Sequence, residues 1–98
     1  MKEITASGRT LLQPVSKCGG ILSVFGNASG EITGTLAVET SKDGGTTFAP
    51  LTTDADGTAL VIDGATTRMI YVGSGDLYVN ASSASSGAKV SFEKLYNL

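Results

Sequence analysis

Apolar and polar side chains alternate with a period of two residues along much of this chain. In the segment 31–40, EITGTLAVET, the residues Ile32, Leu36 and Val38 fall on one side and mostly threonine and glutamate on the other. Successive side chains of a strand point to opposite faces, so this pattern predicts a strand with one buried and one wetted face. No window repeats apolar residues at helical spacing, which indicates an all-β chain.

Similar segments recur about every ten residues and predict about eight short strands. They are 10–15, 21–25, 31–40, 47–51, 58–63, 67–72, 77–81 and 89–95. Between them lie segments rich in Gly, Asn, Asp and Ser, which favour turns. We therefore expect residues 1–98 to form a single antiparallel β-sandwich, either jelly-roll-like or immunoglobulin-like. The segment 1–14 precedes the regular hairpins and is a candidate N-terminal arm.

The apolar positions of these strands give the expected core. Its members are Ile21 or Leu22, Phe25, Ile32, Leu36, Val38, Phe48, Leu60, Ile62, Ile70, Leu77, Val79, Val90 and Phe92. They come from every part of the chain, which fits one domain without an internal boundary.

The charges are few and scattered. The formal net charge is −2, and the seven Lys and Arg residues occur singly, which argues against a nucleic-acid partner. No apolar run approaches the ~20 residues that cross a bilayer, and the N-terminus lacks the apolar stretch of a secretory signal. We expect a protein made in the cytoplasm, with neither a nucleic acid nor a membrane as its partner.

The inventory of reactive groups is thin. Histidine is absent and Cys18 is the only cysteine, so no internal disulfide, Ser-His-Asp set or histidine metal site can form. The segment DADG, 54–57, begins like a calcium loop, but its twelfth position is Ala65 rather than an acid. We expect no enzyme, no cofactor and no obligatory metal, while a weak calcium site at Asp54 and Asp56 stays open.

The segment SKDGGTTF, 41–48, resembles the Asp-box, S-x-D-x-G-x-T-W, with Phe48 in place of the usual Trp. This resemblance implies a hairpin between Val38 and Leu51 with a structural rather than a catalytic role. The Asp43 carboxylate can accept backbone N–H groups of the turn, and Gly45 can supply a positive φ. Phe48 is expected beneath the turn as the first core residue of the returning strand.

Two longer segments, SGEITGTLAVETSKDGGTTFAPL and TRMIYVGSGDLYVNASSASSGAKVSFEKL, resemble small bacteriophage virion proteins. The resemblance implies a capsid decoration or cement protein that stabilises the shell. Its partner would be the major capsid protein or another virion protein, and its location the virion. A homo-oligomer is expected, with a trimer at a symmetry axis as one arrangement. The candidate partner contacts lie in the N-terminal segment, namely Ile4, Arg9, Leu11 and Leu12.

A carbohydrate-binding or adhesin module of a phage tail or fibre is the alternative. Tyr71 and Tyr78 flank the GSGD turn, 73–76, and could face outward together as a platform for a sugar ring. A cross-strand packing contact is the commoner role of such a pair.

Overall fold

The computed structural model describes residues 2–4, 7–15, 17–26, 32, 34–52, 59–73, 75–82 and 88–97. These residues form nine strands and no helix. The strands are β1 (Lys2–Glu3), β2 (Gly8–Val15), β3 (Cys18–Phe25), β4 (Leu36–Ser41), β5 (Ala49–Pro50), β6 (Val61–Ile62), β7 (Thr66–Val72), β8 (Gly75–Ala81) and β9 (Lys89–Asn97).

The strands build two antiparallel sheets. Sheet A has the order β1-β9-β3-β7, and sheet B has the order β2-β8-β4-β5, with β6 also pairing with β4. Every pairing between these strands is antiparallel. The buried side chains of both sheets form one apolar cluster between them, so the predicted all-β sandwich is confirmed.

Three predicted strands are shorter than expected, and the one predicted over 58–63 is reduced to Val61–Ile62. The strand predicted over 31–40 begins only at Leu36, because Gly34 adopts a positive φ of 72° that ends regular extension. The strand predicted over 47–51 is reduced to Ala49–Pro50. In contrast, the last strand continues to Asn97, two residues beyond the predicted end at Leu95.

Most of the predicted core residues are buried. They are Leu22, Leu36, Val38, Leu60, Ile62, Ile70, Leu77, Val79, Val90 and Phe92. Ile32 is only partly buried against them. The sequence did not single out six further buried residues, namely Ile4, Cys18, Val24, Val72, Ala81 and Ala88.

The prediction for Phe25 is wrong, since 46% of this residue is exposed. Strand β3 buries Leu22 and Val24, so Phe25 points to the opposite face of the sheet. The sequence left Ile21 and Leu22 open as the buried residue. Because side chains alternate along a strand, a buried Leu22 places Val24 on the same inner face and Phe25 on the outer face.

The described part of the segment 1–14 lies within the two sheets. Lys2 and Glu3 pair with β9, and the backbone N–H of Ile4 donates to the carbonyl of Ala88 at 2.8 Å. The Ile4 side chain is fully buried. Strand β2 then follows as an edge of sheet B. These residues contribute to the core and to both sheets.

Candidate binding surface

The turn between β4 and β5 is held by side-chain hydrogen bonds. The buried Ser41 hydroxyl donates to Asp43 Oδ1 and accepts from the backbone N–H of Gly45, both at 2.9 Å. Asp43 Oδ1 also accepts the backbone N–H groups of Thr46 and Thr47, at 3.1 and 2.9 Å. The Thr47 hydroxyl donates to Asp43 Oδ2. One carboxylate thus organises the whole turn.

These donors hold the pKa of Asp43 well below its ordinary value. The largest contribution comes from the Thr47 hydroxyl, followed by the Thr47 backbone N–H and the Ser41 hydroxyl. Each donor stabilises the ionised carboxylate relative to the protonated acid. Because the pKa is lower in the folded than in the unfolded chain, ionised Asp43 stabilises the fold above the unfolded pKa.

Asp43→Asn is therefore expected to lower the melting temperature by several degrees at pH 7. The difference between variant and wild type should shrink as the pH falls below about 4, the ordinary pKa of an aspartate. Thermal unfolding followed by circular dichroism from neutral to acidic pH measures this. A difference that stays constant over the whole range would contradict the role given to the carboxylate.

Phe48 lies on the outer face of sheet B, so its prediction as a core residue is wrong. Its ring packs edge-on against Tyr78, with centroids 5.0 Å apart and planes at 89°. The guanidinium of Arg9 sits 4.0 Å from the centre of the same ring and donates from Nε to Glu39 Oε1 at 2.7 Å. These neighbours cover part of the Phe48 ring, which is half-buried.

Gly45 fits this cluster closely. Its φ of 96° suits glycine, and a Cβ added there would lie 2.8 Å from Tyr78 Oη. The turn therefore rests directly on the Tyr78 side chain. The cluster on sheet B is internally packed and leaves little of Tyr78 for an external partner.

The outer face of sheet A is different because it carries exposed aromatic side chains. Gly19 pairs with Tyr71 on one side and with Tyr96 on the other. The two rings meet at a centroid distance of 6.5 Å with planes at 64°. Tyr71 is 60% exposed, Tyr96 41% and the neighbouring Met69 44%. We call Met69, Tyr71 and Tyr96 the tyrosine patch.

The tyrosine patch is ordered by packing. A Cβ at Gly19 would lie 2.6 Å from Cζ of Tyr96, so the Tyr96 ring occupies the space that a side chain at position 19 would need. A hydrogen bond to Tyr71, more than burial, raises the pKa of Tyr96 above its usual range. The Tyr96 phenol is thus neutral at physiological pH, and the patch presents aromatic and aliphatic surface with two hydroxyl groups.

Sheet A also holds most of the exposed apolar side chains of the described residues. Five of the seven large ones lie on its strands, namely Phe25, Met69, Tyr71, Leu95 and Tyr96, against Leu11 and Val61 on sheet B. A contact surface for another macromolecule is therefore more apolar on sheet A than on sheet B.

The four candidate partner contacts of the N-terminal segment have separate locations. Ile4 is fully buried and Leu12 packs partly against the core. Arg9 and Leu11 are about two-fifths exposed, on the outer face of β2. Only Arg9 and Leu11 are placed to meet a partner, and Arg9 is already engaged by Glu39 and Phe48.

The proposed pair Tyr71 and Tyr78 is divided between the sheets. Tyr71 lies on β7 in sheet A and Tyr78 on β8 in sheet B, each on the outer face. Tyr71 instead meets Tyr96, which the sequence reasoning missed together with Met69. The alternation in MIYV, 69–72, could have placed Met69 and Tyr71 on one face, opposite the buried Ile70 and Val72.

Reactive groups are sparse among the described residues. Within them, no three His, Cys, Asp or Glu side chains come close enough to hold a metal ion. Asp54 and Asp56 lie outside the described residues. Cys18 is fully buried, where a thiol is shielded from substrates. Nor does the described part of the chain contain a helix long and apolar enough to cross a membrane.

The described residues thus offer contact surfaces rather than a cluster of reactive groups. The tyrosine patch on sheet A has the largest exposed side chains, whereas the aromatic cluster on sheet B is packed against itself. In comparisons with known proteins, no family model, no curated protein and no solved structure matches this chain.

Proposed function

We propose that the protein is a non-enzymatic component of a bacteriophage virion that decorates the capsid and binds its shell through the tyrosine patch. The exposure of Met69, Tyr71 and Tyr96 on one sheet face carries this proposal. Contiguous exposed apolar side chains on a soluble protein typically mark an interaction site. Tyrosine and methionine are also among the residues enriched in protein–protein interfaces.

The local order of the patch favours binding to a rigid partner. The Tyr71 and Tyr96 rings pack against each other, and Gly19 leaves room for the Tyr96 ring beside the β3 backbone. Side chains that are already ordered lose less conformational entropy when a partner covers them. A capsid shell repeats the same binding site many times. Many copies of this protein, each bound through one small patch, can therefore cover the shell.

The choice of a capsid as partner is supported by the resemblance of residues 29–51 and 67–95 to small phage virion proteins. The low charge of the chain also agrees with a protein as the partner. A formal net charge of −2 with scattered basic residues gives no attraction to nucleic acid. A protein surface is the partner that an uncharged aromatic patch suits best.

The carbohydrate-binding alternative loses the platform on which it was based. Tyr71 and Tyr78 lie on the outer faces of different sheets, so they cannot stack on one sugar ring together. In addition, Tyr78 is engaged by Phe48 and lies against Gly45. This separation favours the protein partner over the glycan.

Sedimentation with empty capsids tests the proposal. Empty capsids of the phage to which the proposal assigns this protein should carry it into the pellet in a saturable manner. The same protein should not be retained on a glycan array. Failure to sediment with the capsids would overturn the proposal, and retention on glycans would support the adhesin module instead.

A further inference from the structure

The edges of the two sheets differ in how well they are protected against pairing with another strand. On sheet B, β2 contains Pro14 and a register shift between Leu11 and Gln13, while β5 and β6 at the other edge have two residues each. On sheet A, β1 is also a two-residue strand. Prolines, bulges and very short edge strands all oppose edge-to-edge association.

Strand β7 has none of these protective features. It pairs with β3 over seven consecutive residues without a register shift. Its sequence, TTRMIYV, contains no proline, lysine or acid. Among the described residues it has β3 as its one strand partner. A groove of about 350 Å³ runs beside it, lined by residues 66–71 and Thr52. This edge is therefore long and regular, and among the described residues no other strand covers it.

We infer that β7 pairs antiparallel with β7 of a second copy of this chain, across a two-fold axis. A strand edge is its own hydrogen-bonding complement in this arrangement, because both copies present the same alternating N–H and C=O groups. The two sheets A then form one continuous sheet. The second copy extends sheet A as an added strand does in β-augmentation.

The side chains of β7 are compatible with this pairing. Arg68 is its only charged residue. With the axis at Met69, Arg68 lies opposite the partner's Ile70, and Thr67 lies opposite the partner's Tyr71. With the axis at Ile70, Met69 lies opposite the partner's Tyr71. Neither register places like charges directly opposite each other, and both pair aromatic or aliphatic side chains that stabilise adjacent strands.

The pairing joins the tyrosine patches of the two copies. Met69 and Tyr71 face outward on β7, so in the dimer they lie near the axis on one side of the continuous sheet. The dimer itself does not depend on capsid binding. If the proposed function holds, it presents two adjoining patches to the shell, and the gain in avidity needs no new contact.

Two lysine substitutions distinguish the edges. Met69→Lys places a charge at the axis or one residue from it, and Leu11→Lys places the same charge on β2, the other long edge strand. The two residues are similarly exposed, at 44% and 40%. In sedimentation equilibrium without capsids, wild type and Leu11→Lys should have twice the mass of one chain. Met69→Lys should have the mass of one chain and should unfold like wild type diluted to a concentration at which it is monomeric.

A wild type that stays monomeric at all micromolar concentrations would overturn the inference. So would a dimer that survives Met69→Lys but dissociates in Leu11→Lys. Hydrogen exchange of the wild type gives a second test that needs no variant. Alternate β7 amides, those facing away from β3, should exchange slowly at high concentration and rapidly after dilution. Rapid exchange of these amides at every concentration would exclude the pairing.

Discussion

Gly20→Ala is expected to destabilise the protein by about 3 kcal/mol, the upper end for adding one methyl group to a packed site. A Cβ at Gly20 would lie 2.4 Å from the backbone carbonyl oxygen of Glu93 and 2.6 Å from Cζ of Phe92. The carbonyl belongs to β9, which pairs with β3, so it cannot retreat without disturbing the ladder between them. The close approach coincides with the register shift between Gly19 and Gly20.

Gly64→Ala is the matched control. A Cβ at Gly64 meets nothing within 4 Å, and Gly64 is not among the glycines with positive φ. Its substitution should change the free energy of unfolding by no more than about 0.5 kcal/mol. Urea unfolding of both variants measures the difference. Equal midpoints for the two variants would show that β9 does not approach β3 as closely as the structure has it.

Leu77→Ala is expected to cost about 2–5 kcal/mol, the usual range for truncating a fully buried leucine. Leu77 is 0% exposed and lies on β8, between β2 and β4. Its loss leaves a cavity that strands paired on both sides cannot close easily. A domain of this size has a free energy of unfolding of about 5–15 kcal/mol, so the substitution would remove a large part of it.

Leu95→Ala makes the same chemical change on the surface. Leu95 lies on β9 and is 47% exposed. Its truncation should alter the free energy of unfolding by about 0.5 kcal/mol or less. Both variants should be compared by urea unfolding at equal protein concentration, because self-association also stabilises the folded chain. A loss at Leu95 as large as that at Leu77 would contradict the assignment of the core.

Sequence alternation predicted the class of fold and most strands because it follows directly from strand geometry. It could not decide the parity of β3, since Ile21 and Leu22 are adjacent and both apolar. Only pairing with β7 and β9 on both sides buries Leu22 and turns Phe25 outward. The wrong prediction for Phe48 has the same cause. An aromatic residue after a turn fits either face of the sheet until its contacts with Arg9 and Tyr78 are known.

Predicting the candidate site required knowledge of the strand topology even more than predicting the core did. Tyr71 and Tyr78 are seven residues apart and suggested a hairpin, yet β7 and β8 belong to different sheets. Tyr71 and Tyr96 are far apart in sequence, and only their common neighbour Gly19 on β3 brings them together. A pattern within one segment cannot reveal a contact that requires three strands.

The N-terminal segment illustrates the same limit. Its position before the regular hairpins indicated an arm, but Ile4 is fully buried and β2 is hydrogen-bonded along β8. Deleting residues 1–14 would remove a core side chain and an edge strand together. Such a deletion would test folding rather than partner binding, so point substitutions on exposed residues are the better instrument.

Capsid binding by Tyr96→Ser tests the central claim most directly. Tyr96 belongs to the tyrosine patch but lies on β9, separated from the β7 edge by β3. Val61→Ser is the control, since Val61 is 49% exposed on sheet B. In sedimentation titrations with empty capsids, Tyr96→Ser should bind at least about tenfold more weakly than wild type, while Val61→Ser binds like wild type. Equal affinity of wild type and a folded Tyr96→Ser protein would contradict the claim that the tyrosine patch binds the shell.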